Sequence, residues 1–137
     1  MTQECILIYE TSIPIAFTCA DGTGIEKGAI LKITDLNTVA LADGDGDPVA
    51  GIAAEEKIAD DGKVKIAVYT SGTFKGTAGA TGATVGQGIM TYNGTGDDND
   101  IVVISAAEDN CMGTALETAT SNETFLFQLN PTNRDVA

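Results

Sequence analysis

Apolar residues arrive along this chain in short runs separated by glycine- and acid-rich clusters. Ile13-Pro14-Ile15-Ala16-Phe17, Ala29-Ile30-Leu31-Lys32-Ile33, Val64-Lys65-Ile66-Ala67-Val68 and Phe125-Leu126-Phe127-Gln128-Leu129 alternate with a period of two. That period places every second side chain on one face and reads as strand. Ile101-Val102-Val103-Ile104 is a continuous β-branched run, suited to a strand covered on both faces. Between the runs lie turn clusters: Asp21-Gly22-Thr23-Gly24, Asp43-Gly44-Asp45-Gly46-Asp47-Pro48, Asp60-Asp61-Gly62 and Asn93-Gly94-Thr95-Gly96-Asp97-Asp98. Short strands at near-regular spacing between such turns predict a mainly β chain, a small barrel- or sandwich-like domain. Ala53–Ala59 and Ala78–Gln87 carry helix formers and predict one or two short helices. The domain is expected over residues 13–130, with an N-terminal extended arm over 1–12 and a C-terminal tail over 131–137. Ala29–Ile33, Val64–Tyr69, Ile101–Ser105 and Phe125–Leu129 should supply the core.

The pattern also repeats. Gly51-Ile52-Ala53-Ala54-Glu55 returns as Gly113-Thr114-Ala115-Leu116-Glu117, sixty-two residues later. Each copy is preceded by a strand opened by glycine, Gly28-Ala29-Ile30-Leu31 and Gly88-Ile89-Met90-Thr91, and followed by one of the alternating strands. Two similar β-units, each too small to bury its own face, are expected to share one barrel-like core.

Composition narrows what such a domain can do. The 137 residues suit one domain, and 43% hydrophobic content with a mean hydropathy of +0.09 argues for a folded core despite the abundant glycine. Twenty carboxylates against seven cations give a net charge of −13. A field of that sign repels phosphate backbones and anionic lipid, so neither nucleic acid nor membrane is an expected partner. Apolar runs stay far short of the roughly 18 residues a spanning helix needs. The opening Met1-Thr2-Gln3-Glu4 lacks the basic start of a secretory signal. Histidine is absent, which removes His-based triads, imidazole bases and His-liganded zinc. Cys5, Cys19 and Cys111 are odd in number and widely spaced, and are expected as reduced thiols of a protein made in a cytoplasm.

The candidate chemical motifs fail on spacing. Asp43-Gly44-Asp45-Gly46-Asp47 opens like a calcium loop, but Pro48 and Ala54 stand where the glycine and the bidentate glutamate belong. It and Asp97-Asp98-Asn99-Asp100 are expected as acidic turns at loop tips. Gly22-Thr23-Gly24-Ile25-Glu26-Lys27-Gly28 has Lys27 where a dinucleotide fingerprint needs glycine, and Gly79 to Gly86 has no partner lysine. Lys63 and Lys65 bracket Val64 on one strand and should point to solvent. No enzyme activity, cofactor or metal is expected.

The string Ala20-Asp21-Gly22-Thr23-Gly24-Ile25-Glu26-Lys27-Gly28-Ala29-Ile30-Leu31-Lys32, with Val49-Ala50-Gly51-Ile52-Ala53 and the block Met112 to Ala119, resembles the small capsid cement proteins of tailed phages. The resemblance covers roughly residues 15–129 and rests on common small residues. It implies a β-rich decoration protein of the lambda-type head-stabiliser kind, a homotrimer on the local three-fold sites of an icosahedral head, with the major capsid protein as partner and the virion exterior as its place. Some members of that family carry a recombinase designation, but this chain has no ATP-binding loop and its charge opposes DNA. A surface-exposed fibre- or adhesin-like module that binds a glycan or receptor is the alternative function.

Within that picture the expected capsid contact is Cys5, Ile6, Leu7, Ile8 and Tyr9, a β-prone apolar segment outside the repeat. As an arm it extends about 40 Å at roughly 3.3 Å per residue, with Ile6, Ile8 and Glu10 on one side and Cys5, Leu7 and Tyr9 on the other. It can add to another chain's sheet edge. The other reading of the same residues is an internal edge strand, and the Gly/Thr-rich stretch Thr73–Gly88 is the alternative contact surface.

Overall fold

The computed structural model describes residues 4–92, 100–103 and 110–132. Its strands are β1 (Ile6–Tyr9), β2 (Ile15–Thr18), β3 (Ile30–Asp35), β4 (Thr38–Leu41), β5 (Val49–Ala53), β6 (Lys65–Tyr69), β7 (Gly72–Ala78), β8 (Gly88–Tyr92), β9 (Asp100–Val103), β10 (Cys111–Ala115) and β11 (Thr124–Thr132). β2 to β6 close into a barrel in the order β2-β4-β3-β5-β6, with β6 returning antiparallel to β2 and the β2–β4 contact parallel. The second half repeats this pairing strand for strand. β7-β11-β10-β8-β9 is the corresponding order, and β9 returns parallel to β7. The isolated bridges Ile25–Lys57 and Ala83–Ala119 occupy matching places in the two units.

The echoed pentapeptide is what each ring needs at one crossing. Gly51 and Gly113 face strand carbonyls so closely that a side chain has no room. Ala53 and Ala115 are buried. Glu55 Oε2 accepts from the Ala67 amide and Glu117 Oε1 from the Leu126 amide, each at 2.8 Å. The carboxylate thereby fixes the antiparallel partner strand just past the point where the ladder ends.

The two rings do not share one barrel interior, as the small size of each copy suggested. Leu31, Val39, Ile66 and Val68 fill the first ring. Phe74, Phe125, Phe127, Ile89 and Met112 fill the second, with Phe74 and Phe127 stacked at 6.0 Å between centroids. Each such buried side chain contributes about 1.5–3 kcal/mol. Ile30, Val49 and Ile52 point outward from the first ring and join the second core. A bulge in β5 makes this possible: Leu31 faces Gly51 and Lys32 faces Val49, so Ala50 is extra and the strand is covered on both faces.

The short helices expected at Ala53–Ala59 and Ala78–Gln87 are absent among the described residues. Ala53 and Ala78 are the last residues of β5 and β7. Beyond them, Lys57 and Ala83 each exchange two backbone hydrogen bonds with a distant residue. Left-handed Gly82 (φ 73°) and Gly86 (φ 82°) break any helical run in the second segment.

The Asp43–Asp47 turn is not a free tip either. Gly46 N–H and Asp47 N–H donate to the carbonyl and hydroxyl of Thr91 on β8, at 3.0 and 2.9 Å, and the Thr91 hydroxyl donates to the Gly44 carbonyl at 2.8 Å. Asp47 Oδ2 is taken up by the Asp43 and Gly44 amides, and Asp43 by Lys32. This turn therefore fastens the first unit to the second. The turn at 97–99, the end of the expected strand at Ile104 and Ser105, and tail residues 133–137 lie outside the described residues.

Candidate docking site

Closure of both rings has a direct effect on the sheet edges. Among the described residues every strand but β1 has a neighbour on each side. β1 lies outside the repeat and pairs only with β7, Ile6 opposite Lys75 and Leu7 opposite Phe74. The segment expected as a free arm is thus laid down as an edge strand in this chain. The cause is burial of one of its faces: Cys5 is buried and Leu7 is half-buried against the second core. The Cys5 amide donates to the Gly28 carbonyl at 2.8 Å, and beyond Tyr9 the hydroxyls of Thr11, Ser71 and Ser12 form a chain at 2.8 and 2.9 Å.

Strict alternation would put Tyr9 with Cys5 and Leu7. A bulge at Ile8 prevents this, because Leu7 faces Phe74 while Tyr9 faces the next residue, Thr73. Tyr9 therefore emerges on the outer side with Ile6. Ile6, Ile8 and Tyr9 are 59%, 40% and 68% exposed. Of the five residues expected at the contact, these three present apolar surface beside an unpaired backbone edge, and Cys5 and Leu7 serve the fold. Thr73–Gly88, the alternative surface, begins as β7, a strand with neighbours on both sides and with Phe74 and Ala78 buried.

Beside the β1 edge is a cavity of about 430 Å³ lined by Glu4, Cys5, Ile6, Leu7, Lys27 and Tyr69. Its position depends on Gly28, whose φ is 92° and whose Cβ, if present, would stand 2.8 Å from Glu4 Cβ and 2.5 Å from the Cys5 carbonyl oxygen. The glycine motif that fails as a phosphate loop is therefore the seat over which residues 4 and 5 pass. Burial raises the Glu4 pKa, and a hydrogen bond to the Glu26 carboxyl raises it further. The Cys5 thiol is pushed up to about 12 by burial and then by the Glu4 charge, so it stays protonated and unreactive. Burial and then Glu10 also raise the Tyr69 hydroxyl. Sequence reasoning missed Glu26, Lys27 and Tyr69 as neighbours of this segment, since they come from the first ring and meet it only in the fold.

Among the described residues no three His, Cys, Asp or Glu side chains gather as a metal site. The architecture is a tandem of two closed five-stranded units, and among the described residues β1 is the strand paired on one side alone. No protein-family model matches the chain, and no curated protein is found to be similar to it. Among solved structures the chain is similar to the N base of the head fibre gp8.5 of bacteriophage phi29, with a TM-score of 0.58 and 14% identity. The match covers 89% of this chain and 98% of that one. At that identity the likeness is one of fold.

Proposed function

We propose that this protein is a phage head structural protein that binds the capsid exterior as a homotrimer at local three-fold sites and cements the lattice. The near full-length fold likeness to a phage head fibre base carries the phage-head part of this reading. The open β1 edge supports docking by strand addition: Ile6–Tyr9 offers main-chain donors and acceptors, flanked by exposed Ile6 and Tyr9. Each added hydrogen bond contributes about 1 kcal/mol net, so a few of them with two buried apolar side chains suffice for stable attachment when many copies act on one lattice. The partner is the major capsid protein, and the chain has no catalytic role.

The test is reconstitution on heads that lack the protein, followed by cryo-reconstruction. Trimeric density over local three-fold sites and loss of binding in Tyr9→Asp are the expected results. Saturated heads without such density overturn the reading. A second reading, the base of a head-attached fibre that binds a glycan or receptor, is favoured by the same structural neighbour. It predicts sparse density with a projecting extension in place of a saturated lattice.

A further inference from the structure

Resting on the capsid-docking reading, we infer that the β4-facing side of β2, over residues 13–17, receives a short extended segment of the major capsid protein, in the place that β1 takes on β7. The two rings correspond residue for residue here. Ala53 pairs with Val68 and Ala115 with Phe127, and those two pair in turn with Ile15 and Phe74. Ile15 thus stands where Phe74 does, Ala16 where Lys75 does and Thr18 where Thr77 does. Both rings close at that last position, Thr18 against Thr38 and Thr77 against Asp100. On β7 the stretch before the closure is covered by β1, with Leu7 opposite Phe74 and Ile6 opposite Lys75. On β2 no strand among the described residues covers the matching stretch.

Burial and hydrogen bonding both register the difference. Phe74 is buried, whereas Ile15 is 53% and Ile13 81% exposed. The main chain is also turned for a partner. Thr18 N–H donates to the Asn37 carbonyl on the β4 side at 2.7 Å, and Cys19 N–H to the Val64 carbonyl on the β6 side at 3.0 Å. Alternation therefore turns the N–H and C=O of Ala16, an exposed residue, to the same side as those of Thr18. Pro14 has no amide proton and bounds the stretch, so the segment that fits is as short as the four-residue β1.

The chemistry of that segment follows from the template and from charge. An apolar residue belongs opposite Ile15, as Leu7 is opposite Phe74, and a second one two positions further reaches Ile13. Glu10 precedes the stretch, and Asp35 stands across from Thr38 at its other end. Lys65, opposite Thr18, is on the outward face, since its neighbour Ile66 is the buried one. The net charge of −13 draws a segment that is free of carboxylates and flanked by lysine or arginine, and it repels a second copy of the same charge.

The experiment puts the photo-crosslinker p-benzoylphenylalanine in place of Ile13 and, in a second preparation, of Ile6, and irradiates each full chain on purified heads that lack the protein. Mass spectrometry should map the adduct from position 13 to a capsid-protein segment with alternate apolar residues beside a lysine or arginine. Ile13→Lys should lower retention on heads at least about tenfold while leaving the melting temperature unchanged, the side chain being exposed. An adduct from position 13 to a second copy, or to a segment bearing carboxylates, overturns the inference, and so does undiminished retention of Ile13→Lys. A capsid adduct from position 6 without one from position 13 overturns the β2 occupant and leaves docking through β1 standing. Failure of the protein to bind heads at all overturns both.

Discussion

Gly51 and Gly113 stand in the same place in the two rings, each pressed against a carbonyl of the neighbouring strand: that of Tyr69 for the first, that of Gln128 for the second. Backbone cannot retreat from a new methyl as a flexible side chain can. Gly51→Ala and Gly113→Ala should each cost about 3 kcal/mol or more. Gly62 is the contrast: its φ is 85° with open space around it, so Gly62→Ala should cost only about 1–2 kcal/mol. Denaturant unfolding of the three variants checks the ordering.

A second prediction concerns Lys57, a buried cation where the other ring has Ala119. Its ammonium donates to the carbonyls of Asp21 and Ile58 at 2.9 and 3.0 Å and to carboxylates of Asp21 and Asp61 at 3.1 and 3.0 Å. Lys57→Met should leave those acceptors unmet and lower the melting temperature well below that of Lys65→Met, whose lysine is exposed. Adding Asp21→Asn and Asp61→Asn should recover part of the loss. A melting temperature for Lys57→Met equal to that of Lys65→Met would show that the cluster is idle.

The third separates folding from docking on one strand. Leu7→Ala removes a contact with the second core and should cost about 2 kcal/mol. Ile6→Lys and Tyr9→Asp alter outward residues and should change stability by about 0.5 kcal/mol or less. Those two should abolish retention on heads, while Leu7→Ala should retain it at temperatures where it stays folded. Deleting residues 1–10 removes Cys5 and Leu7 together, so it should destabilise the domain as well as release it.

Acid dependence follows from the carboxylates that hold the turns. The Ala67 amide and then Lys63 lower the Glu55 pKa, the Lys63 amide and then Lys57 lower that of Asp61, and Thr120 lowers that of Glu123. A carboxyl depressed in the fold contributes stability above its unfolded value, 4.5 for Glu and 3.8 for Asp, and that stability is lost as pH falls through the folded value. Glu4 acts with the opposite sign: being raised, its contribution is present below 4.5 and fades as pH rises through its folded value. Depressed groups outnumber it, so the melting temperature should fall below about pH 4.5. Glu55→Gln should flatten part of that fall, and a melt series across pH 2–7 measures it.

Much of this fold could be read from residue pattern. The alternating runs at Val64–Val68 and Phe125–Leu129 became β6 and β11, and the G-x-A-x-E echo marked the same crossing in both rings. β7 was hidden because Gly72-Thr73-Phe74-Lys75-Gly76-Thr77-Ala78 carries one large apolar residue, and its glycine at 76 has its space occupied by the Ile101 and Phe127 side chains. Ring closure was hidden for a different reason. The β2–β4 and β7–β9 contacts are parallel pairings of one or two residues, too few to leave a periodic trace. The position of β1 turned on a bulge at Ile8, which reverses the outward side within a four-residue strand and has no signature in composition. The cavity draws Lys27 and Tyr69 from the other ring, so no local window contains it.

The open edge of β1 gives that strand a valence of one. A strand that docks there meets rings that return upon themselves through short contacts, Thr18 with Thr38 in the first and Thr77 and Ala78 with Asp100 and Ile101 in the second. In the language of polymerisation β1 is an end-group: β7 occupies one of its sides, so pairing at this strand halts after a single addition. A coat laid on a lattice through that edge does not grow outward through it into a second layer.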